Sequence, residues 1–208
     1  MFNDAKMSGI EIIHHGVRTA TNGDVRISAT PGQWEPVPEL IDRKVDRNNS
    51  SIEVILKYSE YNFIYHIKTV AKDEGLLIQV LIDDPLPEKL IGHVGLNIEF
   101  LPAAYFEKCY YMDGRSGIFP LYPVGIVEKD GLGIPAPKPL AEGTQFILSP
   151  EDPERHITIS SSTGTIKLYD GRNTAQNGWF VARTLIPASQ TGKVVEWFVT
   201  ASTIDNWI

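Results

Sequence analysis

Apolar and polar residues alternate with a period of two along much of this chain. Ile52, Val54 and Leu56 interleave with Glu53, Ile55 and Lys57, and Phe63, Tyr65, Ile67 and Thr69 interleave with Ile64, His66, Lys68 and Val70. Side chains two apart share one face of an extended strand, so each run predicts a strand. Residues 76–82 form a nearly continuous apolar strand, and 96–100 alternate again as Leu-Asn-Ile-Glu-Phe. Further strands are predicted at 143–149, 156–161, 165–170, 179–186 and 194–200. Turn formers separate them: Asn48-Asn49-Ser50-Ser51, Asp73-Glu74-Gly75, Asp170-Gly171-Arg172-Asn173, and Ser162-Thr163-Gly164, read as a short hairpin turn. Helical periodicity is nearly absent. Pro85 and Pro87 restrict the chain so that 83–91 holds one helical turn at most.

Roughly a dozen strands exceed the seven of one immunoglobulin unit. The expectation is therefore an all-β fold, a large two-sheet antiparallel β-sandwich of the supersandwich kind. The Gly- and Pro-rich stretch 131–139 reads as a crossing between sheets, so 1–208 is expected to be a single domain. The apolar end at Trp207-Ile208 suggests the N-terminal fragment of a longer multidomain enzyme.

Composition narrows the function. The 208 residues carry a net charge of −7 and no basic patch, which argues against nucleic acid. No apolar stretch reaches the eighteen or so residues of a membrane span, so no membrane insertion is expected. The first residues are not a signal peptide. Cys109 is the sole cysteine, which excludes an internal disulfide and a thiolate zinc site.

The stretch 86–125 is unusual. It is read as one strand running into a long loop with six aromatics (Tyr105, Phe106, Tyr110, Tyr111, Phe119, Tyr122) and an Asp113-Gly114-Arg115-Ser116-Gly117 turn. Such rings either fill a core or stack on sugar faces. The candidate carbohydrate-binding residues are Tyr111, Asp113 and Arg115 at the loop tip, Arg172 in a second turn, and the turn-borne Trp34 and Trp179.

Other chemistry is thinner. Glu88, Glu99, Glu107, Asp113 and Glu128 lie near the aromatic loop, and a glycosidase needs two carboxyls about 5 Å or about 6.5–9.5 Å apart. With 26 acids in the chain, two nearby acids are expected without function. Glu99 fits a solvent-side or cleft-side strand position. No His-x-His or His-Glu-x-x-His pattern occurs. No cofactor is expected; a structural calcium would be sought first at Asp83-Asp84. Ser116 lacks the Gly-x-Ser-x-Gly elbow of serine hydrolases.

Three blocks carry a family resemblance: 76–80 through 97–102; Lys108-Cys109-Tyr110-Tyr111-Met112-Asp113-Gly114 with Phe119-Pro120-Leu121-Tyr122-Pro123; and Asp170-Gly171-Arg172-Asn173 with Gly178-Trp179-Phe180. Together they resemble the N-terminal sandwich modules of family-nine-type glycoside hydrolases from Bacteroidetes. The resemblance implies a galactose-mutarotase-like supersandwich fold and a catalytic domain downstream in the same chain. It implies no catalytic residue here. The partners would be a polysaccharide or oligosaccharide and that catalytic domain, and the location periplasmic or extracellular. The module would bind glycan weakly or brace the catalytic domain. The alternative is an independent sugar-active enzyme of the mutarotase or lyase type, for which His93 stands where a ring-opening histidine would.

Overall fold

A computed structural model describes residues 9–32, 35–123, 127–129, 135–174 and 178–201. In chain order the strands are β1 Ile10–His14, β2 Val17–Arg26, β3 Glu39–Asp46, β4 Ser51–Tyr58, β5 Phe63–Lys72, β6 Gly75–Ile82, β7 Gly95–Phe100, β8 Cys109–Met112, β9 Arg115–Ile118, β10 Val127–Lys129, β11 Pro135–Pro137, β12 Ala141–Gly143, β13 Gln145–Leu148, β14 Ile157–Ser161, β15 Ile166–Asp170, β16 Phe180–Leu185 and β17 Gly192–Ala201. Among the described residues the only α-helix is the four-residue α1, Pro102–Tyr105, and the turn expected at 83–91 is a 3-10 turn at Glu88–Leu90.

Fifteen of these strands form a two-sheet antiparallel sandwich that does not close into a barrel, and β10 and β11 pair with each other. One sheet has six strands in the order β1-β2-β7-β16-β15-β12, and the other nine in the order β3-β4-β5-β6-β17-β14-β13-β8-β9. Register explains the inner faces. Leu56 lies opposite Tyr65, Ile67 opposite Val80, and Ile78 opposite Trp197, all buried. Across the gap, Phe100 lies opposite Phe180 and Ile98 opposite Ala182, and one hydrophobic cluster contains residues of both sheets. The buried Trp197 also ties the layers by polarity, its Nε1–H donating to Thr184 Oγ1 at 3.0 Å. Because β17 lies between β6 and β14, it joins the β3–β6 meander to the rest of its sheet.

Several expectations change in detail. Residues 86–125 do not form one long loop: α1 and the β8–β9 hairpin occupy much of that stretch. The hairpin turns at Asp113 and Gly114, with φ of +48° and +79°. An Asp-Gly pair tolerates these positive values and suits a tight hairpin turn. Tyr105, Tyr110 and Phe119 are buried, and the Phe119 ring centre lies 4.7 Å from that of Phe180 at a tilt of 50°, whereas Tyr111 and Tyr122 face outward. The turn 162–164 is not a hairpin. It carries the chain from β14 in the nine-stranded sheet to β15 in the six-stranded one. It is pinned to β17, with Ser162 N–H donating to Glu196 O and Glu196 N–H donating to Thr163 Oγ1. In the stretch 131–139, Pro135–Pro137 pairs with β10, and 131–134 lie outside the described residues. Strands β1, β2 and β3 had no prediction. Every residue of β3 is exposed, so it has no buried face to leave an alternating pattern.

Candidate functional site

The chemistry gathers on the outer face of the six-stranded sheet. In β7 the residues Leu96, Ile98 and Phe100 fill the core, which turns Asn97 and Glu99 to the opposite side. Even so, Asn97 is 0% and Glu99 2% exposed. The chain following β2 helps close over them. Asn97 Nδ2 donates to Ser28 O at 3.1 Å, and Arg183 of β16, opposite Asn97 in register, donates through Nη1 to Ser28 O at 2.6 Å and to Asn97 Oδ1 at 2.5 Å. Its Nη2 donates to Arg26 O, Ile27 O and His93 O. Arg183 thus holds two chain segments over the sheet through carbonyl and amide acceptors. Burial lowers its pKa to about 10.

A bulge in β2 shapes the neighbouring corner. Thr21 lies opposite Glu99 and Asp24 opposite Asn97, so Asn22 and Gly23 together face the single residue Ile98. Such an insertion re-aims a side chain. Asn22 takes φ +51°, and its amide donates to Glu99 Oε2 at 2.6 Å. Gly23 is required at the bulge, since a Cβ there would lie 2.7 Å from Ile10 Cβ and 2.8 Å from Ile10 O. Beyond Gly23 the β1 side of β2 is closed by side chains. Val25 N–H donates to Asp24 Oδ1 at 2.7 Å, Val25 O accepts from Tyr58 OH at 2.8 Å, and Tyr65 OH donates to Asp24 Oδ1 at 2.9 Å.

Three ionisable groups are strained electrostatically here. Burial pushes the Asp24 carboxyl up to about 6, against the pull of Arg26 and of its hydrogen bonds to Tyr65 and Val25. Burial pushes Glu35 up to about 7; Arg26, Arg183 and a Ser28 hydrogen bond pull it down, and Glu99 adds to the rise. Burial works to lower Arg26, but Asp24, Tyr58 and Glu99 outweigh it and hold the group above its ordinary value. Arg26 is 4% exposed, yet its Nε makes no hydrogen bond, and neither does Glu35 Oε2. Among the described residues no carboxylate oxygen lies within 4.0 Å of the Arg26 guanidinium. Buried polar groups are normally satisfied, and an orphan calls for an occupant or a role.

The residues predicted from the sequence fall elsewhere. Trp34 lies outside the described residues. Tyr111, Asp113 and Arg115 sit on the β8–β9 hairpin at one edge of the nine-stranded sheet. Asp113 accepts from Gln145 N–H at 2.8 Å, and from Thr144 N–H and Oγ1. These backbone bonds hold its pKa below the usual carboxylate value. Tyr111 and Arg115 are exposed. Arg172 and Trp179 belong to the β15–β16 connection of the other sheet. Arg172 grips the buried Asp170 through two bonds of 2.8 Å, donates to Pro120 O and Leu121 O, and lies 4.7 Å above the Phe180 ring. Trp179 is half-buried, and its carbonyl accepts from Gly171 N–H. Of the five acids near the aromatic loop only Glu99 is buried; Glu88, Glu107, Asp113 and Glu128 are exposed. His93 is exposed and contributes its carbonyl to Arg183. Asp83 and Asp84 are exposed, and among the described residues no three His, Cys, Asp or Glu side chains cluster as metal ligands. No helix of the described residues is long and apolar enough to cross a membrane.

Arg26, Glu35, Arg183, Asn22 and Asn97 were missed by the sequence reading. One signal was available: Arg183 directly follows the apolar run Phe180-Val181-Ala182 within one predicted strand, and a lone charge in a buried strand needs a partner or a ligand. No family model, curated protein or solved structure matches this chain.

Proposed function

We propose that this chain is a non-catalytic accessory module of a secreted or periplasmic carbohydrate-active enzyme, and that it binds glycan weakly on the outer face of its six-stranded sheet. The observation that carries the reading is the bulge at Asn22-Gly23, which brings a planar amide onto the buried Glu99, a carboxylate that acts electrostatically on Arg26, whose Nε makes no hydrogen bond. Amide, carboxylate and guanidinium groups held rigidly on one sheet face match the hydroxyl pattern of a sugar, and a preorganised site loses little entropy on binding. The charges there are close to balance, with Arg26 and Arg183 set against Asp24, Glu99 and a partly ionised Glu35. That balance favours an uncharged polyol over a nucleotide or metal ion.

Calorimetric titration with oligosaccharides of β-glucan, xylan and mannan tests it. Wild type is expected to bind at least one, and Asn22→Ala to weaken that binding while Tyr111→Ala leaves it unchanged. A folded wild type that binds none of them sinks the glycan reading.

A bracing role has its own observation. Ile118, Leu121 and Tyr122 are 63%, 41% and 73% exposed within five residues of chain, an apolar surface of the kind a neighbouring domain covers. If bracing is the role, Tyr122→Ser lowers the thermal stability of the full-length enzyme and leaves that of the isolated module unchanged.

A further inference from the structure

We infer that the open edge of β9 pairs antiparallel with the same edge of a second copy of this chain, about a two-fold axis at Gly117. This goes beyond the glycan reading and does not depend on it, since β9 belongs to the other sheet. Asp113 and Gly114 turn the β8–β9 hairpin at positive φ, so Met112 and Arg115 close it as a hydrogen-bonded pair. Bonded and non-bonded pairs then alternate along the ladder. Tyr110 and Gly117 bond to each other, whereas Ser116 and Ile118, opposite Tyr111 and Cys109, aim their N–H and C=O groups outward. β9 is the last strand of its sheet, and among the described residues no backbone group takes up these donors and acceptors.

Such a row is a template for another strand, and proteins ordinarily block it. The other three edges of the sandwich are blocked. β3 is bulged between Leu40 and Asp42, carries Asp42, Arg43 and Lys44 in succession, and has Asp42 Oδ1 accepting from the Arg43 N–H at 2.8 Å. β1 breaks register twice within five residues, and β12 is three residues long with Glu142 at its centre. β9 keeps register throughout and carries one charge, Arg115. The pairing runs on past it, with Phe119 N–H donating to Lys108 O.

A second copy fits because the edge is self-complementary. With Gly117 on the axis, Ser116 of one copy lies opposite Ile118 of the other, and each such pair exchanges both N–H···O=C bonds. Gly117 suits the axis, since it has no side chain and a Cβ there would run into the Tyr110 ring. Tyr110 and Met112 are buried, which puts Cys109, Tyr111 and the facing Ile118 on the outer side of the sheet. Ile118 is 63% exposed, and pairing closes this apolar strip against its copy. Residues 114–122 contain no acid, so two chains of net charge −7 meet here without setting carboxylate against carboxylate. An edge this short gives a weak dimer, with a dissociation constant on the order of 10 µM.

Sedimentation velocity from about 1 to about 300 µM tests it, on wild type, Ser116→Pro, Ile118→Lys and the β3 control Val45→Lys. Proline at 116 removes an outward N–H and no hairpin bond, and lysine at 118 puts like charges on both sides of the axis. Circular dichroism melts verify folding. Wild type is expected to move from 23.2 kDa toward twice that mass as concentration rises. Both β9 variants should stay at the monomer mass throughout, and Val45→Lys should follow wild type. If proline unfolds the hairpin, Ile118→Lys carries the test alone. A wild type that stays monomeric at the highest concentration overturns the inference and leaves the edge to a neighbouring domain. A dimer that either folded β9 variant retains at wild-type strength, or that only Val45→Lys breaks, overturns it by placing the contact elsewhere. None of these outcomes decides the glycan titrations.

Discussion

Two carboxylates of this protein show opposite solutions to the same problem. Asp113, at the tip of the β8–β9 hairpin, is exposed and fully engaged, accepting from two backbone N–H groups and a hydroxyl. Glu35 is largely buried, one of its oxygens has no partner, and its proton affinity is raised. The exposed group that looks available is occupied in holding a turn. The buried group that looks structural has capacity to spare. Exposure to solvent and unmet hydrogen-bonding capacity are therefore different properties, and in this fold they are found in different places.

The largest effect expected from that difference is at Arg183, the frame of the buried corner. Arg183→Met removes the donor to the buried Asn97 Oδ1 and to the part-buried carbonyl contacts at Ser28 and His93, among others. Breaking a buried charged network on one side costs about 3–5 kcal/mol. Urea denaturation would show this as a lower midpoint with the slope unchanged. A midpoint within the error of wild type would mean that the segments at 26–28 and at His93 hold to the sheet without Arg183, and that the corner is not preorganised.

A smaller effect is expected from pH. Asp24 rises from 3.8 to about 6 and Glu35 from 4.5 to about 7 on folding. The folded state then keeps protons that the unfolded chain has already released. Each acid therefore subtracts stability as pH climbs from its unfolded value to its folded one, and the loss is complete above about 6 for Asp24 and about 7 for Glu35. The size is on the order of 3 kcal/mol for each group. Stability curves from pH 4 to 8 would show the decline, flattened between 4.5 and 7 in Glu35→Gln. Parallel curves for the two proteins would place Glu35 in a solvated setting and dissolve its contrast with Asp113.

The same contrast explains what could be read from the chain alone. The nine-stranded sheet was legible where its strands have one buried face: Val54-Leu56 and Tyr65-Ile67 alternate because every second residue meets the core. The strand β3 was not, since both its faces are exposed, and β2 was not, since the Asn22-Gly23 bulge breaks its period. Tip residues such as Asp113 and Arg172 drew attention because turns advertise polar groups. Their partners, Gln145 N–H and Asp170, are distant in chain or hidden by burial, so the fact that they were occupied could not be seen. The corner itself is assembled from β2, β7, β16 and the segment after β2, and residues as separated as Arg26 and Arg183 carry no local sign that they will meet.

The smallest effect is expected at Asp113. Alanine there removes the acceptor for Thr144 and Gln145 N–H groups that are themselves near solvent, so water replaces most of what is lost. The turn also keeps Gly114 at positive φ, and alanine at position 113 is less tolerant of φ +48° than aspartate. Together these predict a fall in thermal midpoint of about 2 °C for Asp113→Ala. The carboxylate is held below its usual pKa, so its contribution is present above the unfolded value and fades as pH falls through the folded one. The difference between wild type and variant should accordingly shrink in acid, the reverse of the behaviour expected at Glu35. Glycan affinity should not change, because the hairpin stands at the edge of the other sheet. If Asp113→Ala abolishes binding while the protein remains folded, the ligand lies on the exposed tip and the assignment to the buried corner is wrong.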